Sequence, residues 1–456
     1  MTQSALSAES SDKLLRIVSL TLTIAVMCAT MFNIVLGQIK TEFGLGYSEV
    51  SWISSAYLLV YAIGSVIYGK LADIYKLKNV VTFGFATFAI GSLIGLAANS
   101  YGMLLAARIV QAAGAAIFPA LSGIIPIRYY DKERRGKAIG TLVSGLSLGA
   151  AIGPAVTALI VSFAHWRWLF CLPLLVLPLL PYYRRRLDGD PGRSKSIDWL
   201  GGAILAAAVA LLMLAVTYEN GMLIPASAAV VLLFALRVRA AAHPFVEPAL
   251  FRNGRYLFGL CLAFLVTALG YSIPFLSPQL LAQANGIGPG WIGLCLIPGA
   301  LASAWLGRKG GRLADKKGHA ALFYAASALL LIGYLLLSTF AGGWPGAIAL
   351  ILIAANVGQS FIVISVSHQV SSSLSPEQAG VGMGMQSLMN FIAGAIAAGV
   401  YGKIADQRAA VSWNPANGHA EAYVFGNLYL ALAGLQIVFV LLFFAVRGRA
   451  SRTAAR

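Results

Sequence analysis

The pentapeptide Gly69-Lys70-Leu71-Ala72-Asp73 returns 242 residues later as Gly311-Arg312-Leu313-Ala314-Asp315, so two carboxylates, Asp73 and Asp315, stand beside basic residues in matching settings. A carboxylate so placed can pair with cations or sit against a helix N-terminus, whose dipole stabilises it by about 0.3 to 1 kcal/mol. Capping within its own loop is the simpler alternative. Arg108 offers a different chemistry, as the one charged residue deep inside an apolar segment. Holding a guanidinium there costs at least about 2.5 to 3.5 kcal/mol. Arg108 should therefore face a protein interior and meet water, backbone carbonyls or a ligand, unless it only ties neighbouring helices together. Gln111, three residues on, shares its helix face. Gly145, Gly149 and Gly153, followed by Pro154, form a stripe that lets another helix backbone lie close, with a kink at its end.

The elements that must position these residues are membrane helices. With 59% hydrophobic and 11% charged residues, the 456-residue chain cannot cover soluble domains with a polar surface. A span takes roughly 20 apolar residues, and fourteen segments qualify: 17–37, 50–68, 80–98, 103–127, 138–164, 168–183, 199–218, 222–236, 256–282, 291–306, 320–340, 347–367, 379–401 and 423–446. The expected fold class is an all-α integral membrane protein.

Laid down in alternating orientation, these spans place 28 of the 33 Lys and Arg on one side. The other side holds only Lys40, Arg167, Lys403 and Arg408. The positive-inside rule then puts both termini in the cytoplasm, and the net charge of +17 reports topology, with no nucleic-acid partner implied. A twelve-span layout would drop the weak pair at 199–236, but the basic residues after Leu236 favour keeping it. The first span is too long for a signal-peptide core and lacks a small-residue cleavage site, so it is expected to be retained.

The pentapeptides follow the second and tenth spans, which divides the chain into a six-helix bundle (1–190), a linker with a two-helix insert (191–248) and a second six-helix bundle (249–456). Two related bundles around a central site are what alternating access to the two sides of a bilayer requires. Cys28, Cys171, Cys261 and Cys295 lie in spans without paired spacing and read as reduced packing residues. All five histidines, His165, His243, His319, His368 and His419, fall outside the spans. No metal site, nucleotide-binding loop or nucleophile–base set is visible, so an enzyme is not expected.

The whole chain resembles the major facilitator superfamily, in its fourteen-helix branch of drug/proton antiporters. The words that carry this are 69–73, Arg108-Ile109-Val110-Gln111 with Gly114, and Gly149 with Gly153-Pro154. Within the branch, residues 107–121, Arg135-Gly136-Lys137-Ala138 and 371–385 are similar to Gram-positive tetracycline-resistance exporters. The resemblance implies efflux of small amphipathic compounds from the plasma membrane. It implies a proton gradient in place of a cofactor, and no obligatory protein partner. It also makes Asp73, with Gly69 and Lys70, a cytoplasmic gate that meets a neighbouring helix N-terminus, with Asp315, Gly311 and Arg312 as the second copy. The glycine stripe becomes an antiporter motif at the interface between halves. Departures are Lys76 where the family has glycine, and Thr157 and Ala158 where it commonly has two more; Gly318 keeps the pattern in the second copy.

One absence weighs more than these. Related exporters carry carboxylates within spans one, five and thirteen, where this chain has Ala29, Ala150 and Gly394. No span interior holds Asp, Glu or His, so proton coupling comes from the resemblance alone. An uncoupled facilitator and, in another class, a non-transporting sensor are the alternatives. A cavity with Arg108 and no carboxylate disfavours cations, which predicts neutral or anionic substrates and poor transport of ethidium. Asn33 and Gln359, near mid-span, join Arg108 and Gln111 as candidate substrate or coupling residues.

Overall fold

The computed structural model describes residues 8–45, 47–187, 198–217, 221–241, 244–246, 248–405 and 409–454. In the first bundle the helices are α1 (Ala8–Thr30), α2 (Phe32–Phe43), α3 (Tyr47–Ile74), α4 (Leu77–Leu96), α5 (Tyr101–Ala115), α6 (Ile117–Tyr129), α7 (Arg135–Phe163) and α8 (Leu180–Arg186). The 3₁₀ run Trp166–Leu179 leads into α8 and contains Pro173 and Pro178. The insert consists of α9 (Trp199–Thr217) and α10 (Leu223–Ala240). After the short α11 (Pro248–Arg252), the second bundle comprises α12 (Gly254–Gly270), α13 (Ser272–Gln283), α14 (Pro289–Lys317), α15 (His319–Thr339), α16 (Pro345–Ser372), α17 (Ala379–Ala405) and α18 (Tyr423–Ala454).

Among the described residues, twelve helical segments are long and apolar enough to cross a membrane. Of the fourteen expected spans, 138–164 and 199–218 are not among the twelve; both are helical, as α7 and α9. Three expected spans are broken by one residue each: the first at Met31, the fourth at Ala116 and the ninth at Tyr271. Pro119 and Pro274 sit three residues beyond the last two breaks, where a missing N–H and a ring clash free carbonyls of the preceding turn.

The buried side chains form one large core centred on each bundle and a small one, Ile139, Val143, Ala314, Leu322 and Ile364, between them. Leu14, Phe32, Tyr57, Phe85, Phe118 and Trp166 belong to the first, and Tyr256, Leu276, Phe323, Tyr334, Leu352 and Tyr429 to the second. The bundles meet along two seams, α3 with α17 and α7 with α14. The insert packs on the first seam, where α9 touches both α3 and α17 and Phe245 closes the wedge with Ile63, Val66, Leu205 and Leu388. Asp198 caps α9 at Gly201 N–H (3.0 Å) and holds Arg237 of α10 at 3.0 Å.

His368, expected outside the spans, lies inside α16. The helix continues past the apolar run to Ser372, with the Ser371 hydroxyl bonded back to the His368 carbonyl at 2.9 Å.

Candidate functional site

Glycine and aspartate stand four residues apart in each pentapeptide, so both fall on one face of their helix. Near the end of α3, Asp73 is 8% exposed. Its Oδ1 accepts the Gly380 N–H (3.2 Å) and its Oδ2 the Val381 N–H (3.0 Å), both in the first turn of α17. Arg128 of α6 donates to the same Oδ1 at 2.8 Å and to the Ala72 carbonyl at 3.1 Å. A carboxylate of the first bundle therefore caps a helix of the second.

The second pentapeptide does the converse. Asp315, in the last turns of α14, accepts the Gly136 and Lys137 N–H groups at 2.7 Å each, in the first turn of α7. The two clamps are reciprocal across the bundle interface, at the end that carries the basic loops. Each uses a helix N-terminus whose first N–H groups have no partner within the helix.

Such docking needs backbones closer than side chains allow. A Cβ on Gly69 would lie 2.2 Å from the Gly380 carbonyl oxygen, and one on Gly380 would lie 2.1 Å from the Gly69 oxygen. In the second clamp a Cβ on Gly311 would lie 2.1 Å from the Gly136 oxygen, and one on Gly140 would lie 2.4 Å from the Gly307 oxygen. Buried Arg135 adds a further tie, donating to the Ser371 carbonyl of α16 at 3.3 Å and to Ile127 at 3.1 Å. Asp12 of α1 gathers Lys137 (2.7 Å), Arg134 (3.5 Å) and the Tyr130 hydroxyl (3.2 Å) behind it. Lys70 is buried in the first clamp, whereas its counterpart Arg312 is exposed, so the repeat is not equivalent at this position.

Arg108 is fully buried. Its guanidinium lies between the rings of Tyr57 (4.0 Å) and Phe32 (4.3 Å), an arrangement that stabilises a desolvated cation. Its Nε donates to the Ile53 carbonyl at 3.4 Å, and one Nη donates to Gln111, which in turn donates to Ser92 at 3.0 Å. Among the described residues the other Nη has no hydrogen-bond partner, nor does the Tyr57 hydroxyl. Tyr57 stacks on Tyr61, whose ring meets Phe391 of α17 edge-on at 5.2 Å, so aromatic contacts run from Arg108 to the opposite bundle.

The glycine stripe is corrected by the structure. Cβ atoms on Gly145, Gly149 and Gly153 would strike Ser19, Thr23 and Thr30 of α1, inside the first bundle. The face of α7 turned toward the second bundle is Gly136, Gly140 and Ser144, nine residues earlier and so about half a turn around the helix. The side chain of Pro154 lies outside the described residues, as does that of Asn33. Gln359 donates to the Val266 carbonyl at 3.3 Å and rests over Gly270, tying α16 to α12. Asn427 of α18 holds the segment before that helix, accepting the Trp413 N–H and donating to the Val411 carbonyl.

Sequence reasoning missed the receiving ends of both clamps, Gly380-Val381 and Gly136-Lys137, together with Arg128 and Arg135. The signal was present in part, because the segments 135–138 and 371–385 stood out by resemblance before any contact gave them a role.

The pattern of the Major Facilitator Superfamily matches residues 18–398. The Methylenomycin A resistance protein of Bacillus subtilis is 26% identical over 62% of this chain and 63% of its own length, so the match spans just under two thirds of that relative. The riboflavin transporter RibZ of Clostridioides difficile is 25% identical over 72% of the chain and 74% of its own. Multidrug resistance protein 3 of Bacillus subtilis is 26% identical over 71% and 66%. Among solved structures, the human organic anion transporter MFSD10 superposes with a TM-score of 0.67 at 17% identity, covering 94% of this chain and 99% of that one. The proton:xylose symporter XylE gives 0.64 at 13%, covering 95% and 97%.

Proposed function

Because this chain belongs to the Major Facilitator Superfamily, a family of multi-pass membrane transporters, we propose that it is a secondary active exporter of small amphipathic compounds, of the drug or antibiotic type. The bundles 1–190 and 249–456 rock about a central site, with the insert 191–248 covering one seam and fourteen crossings leaving both termini in the cytoplasm of a plasma-membrane protein.

The observation that carries this reading is the pair of reciprocal clamps. Asp73 bonds to α17 and Asp315 to α7 across the interface at the basic end, which supports reading this conformer as closed there. Rocking one bundle against the other would release both together. Relatives named for methylenomycin A and multidrug resistance favour efflux, and the segments similar to tetracycline exporters make tetracycline the first substrate to try. Proton antiport is the expected coupling. The uncoupled facilitator remains the second reading, because Ala29, Ala150 and Gly394 stand where related exporters carry carboxylates. Arg108, buried among aromatic rings with no carboxylate partner among the described residues, favours neutral or anionic substrates over lipophilic cations.

The test is uptake of labelled tetracycline into inverted vesicles with and without an imposed proton gradient, for the native protein, Asp73→Asn and Arg108→Ala. Gradient-driven uptake lost in both variants is the expected result. Uptake that ignores the gradient would favour the facilitator, and robust efflux of ethidium would overturn the electrostatic argument.

A further inference from the structure

The clamps differ in what stands beside the aspartate. At the first, Arg128 from the fourth span of its bundle supplies a permanent cation at 2.8 Å. At the second, the fourth span of that bundle is α16, and the group it brings to Asp315 is His368, with Nε2 at 3.8 Å from Oδ1. This is the same oxygen that accepts the Gly136 N–H. Both ring nitrogens of His368 are buried and have no hydrogen-bond partner among the described residues, although the side chain keeps 14% of its surface exposed. Buried polar atoms are ordinarily paired, so this imidazole calls for a functional account.

The surroundings are as follows. From α15, the ring of His319 stacks on His368 with centroids 6.1 Å apart. From α14 come Asp315 and the exposed Arg312 and Lys316. From α7 comes Arg135, bonded to the carbonyl of Ser371 three residues beyond His368, and Lys137, whose amine is held by Asp12. The 3₁₀ turn Lys132–Arg134 adds Arg134, also paired with Asp12. On the side of α12 the neutral Asn253 amide meets the Ser373 carbonyl, and Arg128 of α6 is engaged by Asp73.

While the clamp is shut, the positive N-terminus of α7 and Arg135 face the ring from the same side, and the carboxylate of Asp315 is committed to two backbone donors. If α7 withdraws it takes Arg135 and both donors with it, leaving a bare carboxylate beside an imidazole. An imidazolium then becomes the partner that replaces them.

We infer that His368 is a positioning residue of the second clamp that takes up a proton when α7 withdraws with Arg135 and then serves Asp315 in place of the α7 amides. The inference rests on the reading of the clamps as a gate. Acid on the basic side favours opening, and alkali favours the closed conformer. One proton linked to the transition changes the open-to-closed ratio by at most about tenfold per pH unit.

The experiment uses the full chain in lipid nanodiscs, with spin labels at Lys132→Cys and Lys317→Cys in a background lacking the four native cysteines, read by pulsed electron–electron distance measurement between about pH 8 and pH 5.5. The expected result is an open population that grows on acidification in the native sequence. His368→Gln should abolish the response, and His319→Gln should keep it. A pH response that survives His368→Gln, or a native protein that shows none, overturns the inference. If Gly311→Ala opens the distance but pH does not, this inference alone fails. A distance that neither pH nor any variant moves refutes the gate itself.

Discussion

Gly311→Ala separates the clamp from its carboxylate, because it leaves Asp315 intact and changes only how closely two backbones approach. The added methyl would lie 2.1 Å from the Gly136 oxygen, 2.8 Å from the Gly136 carbonyl carbon and 3.0 Å from the Lys137 Cα. All three are backbone atoms and cannot rotate away. A carbon–oxygen contact settles near roughly 3.3 Å, so α7 and α14 must separate by about 1 Å at this point. The two Asp315 bonds, now 2.7 Å each, then pass beyond hydrogen-bonding distance. Charge-assisted bonds contribute about 1.5 to 3 kcal/mol each. Water replaces part of that once the clamp opens, so the closed state should lose about 1.5 to 3 kcal/mol in total, a roughly 10- to 150-fold shift toward the open state. The distance between labels at 132 and 317 reports it, and Gly293→Ala, where an added methyl meets nothing within 4 Å, is the control. An unchanged distance distribution in Gly311→Ala, with the control also unchanged, would refute the argument that glycine is there for close approach.

Gly149→Ala should behave differently although it too meets backbone, with its methyl 2.4 Å from the Thr23 oxygen of α1. Overpacking inside one bundle should lower thermal stability by about 1 to 3 kcal/mol and leave the clamp distance unmoved. At the opposite end, Glu42 accepts from Trp166 (2.6 Å) and Arg167 (2.7 Å). Burial raises its carboxyl, but these hydrogen bonds outweigh burial and hold it below the ordinary range. The stability it contributes is therefore present above the unfolded value of about 4.3 and lost as pH falls through the lower folded value. Thermal melts of the native protein should fall more steeply below about pH 4 than those of Glu42→Gln, and superimposable pH profiles would show that the clasp contributes nothing.

Legibility in the sequence differed from residue to residue. Asp73 and Asp315 were visible through repetition, and Arg108 through its cost in an apolar segment. Their partners were not: Asp73 meets residues more than 300 positions away and Asp315 residues nearly 180 away, joined by nothing but the packing of bundles. Gly145, Gly149 and Gly153 were recognisable as a close-packing stripe, yet whether they faced α1 or the other bundle depended on how α7 is rotated about its axis. His368 was read as lying beyond its span, since hydropathy ends where serines continue the helix.

Transfer between water and lipid is additive over local residues, so composition and the length of the apolar runs determined an all-helical membrane chain and the approximate position of its helices. The direction in which each side chain points, and hence which amide caps which carboxylate, depends on helix rotation and neighbour identity. Those are properties of the assembled bundles, because no single helix stores the close approaches of Gly69 to Gly380 and Gly311 to Gly136 that bring a carboxylate within reach of another helix's free N–H groups.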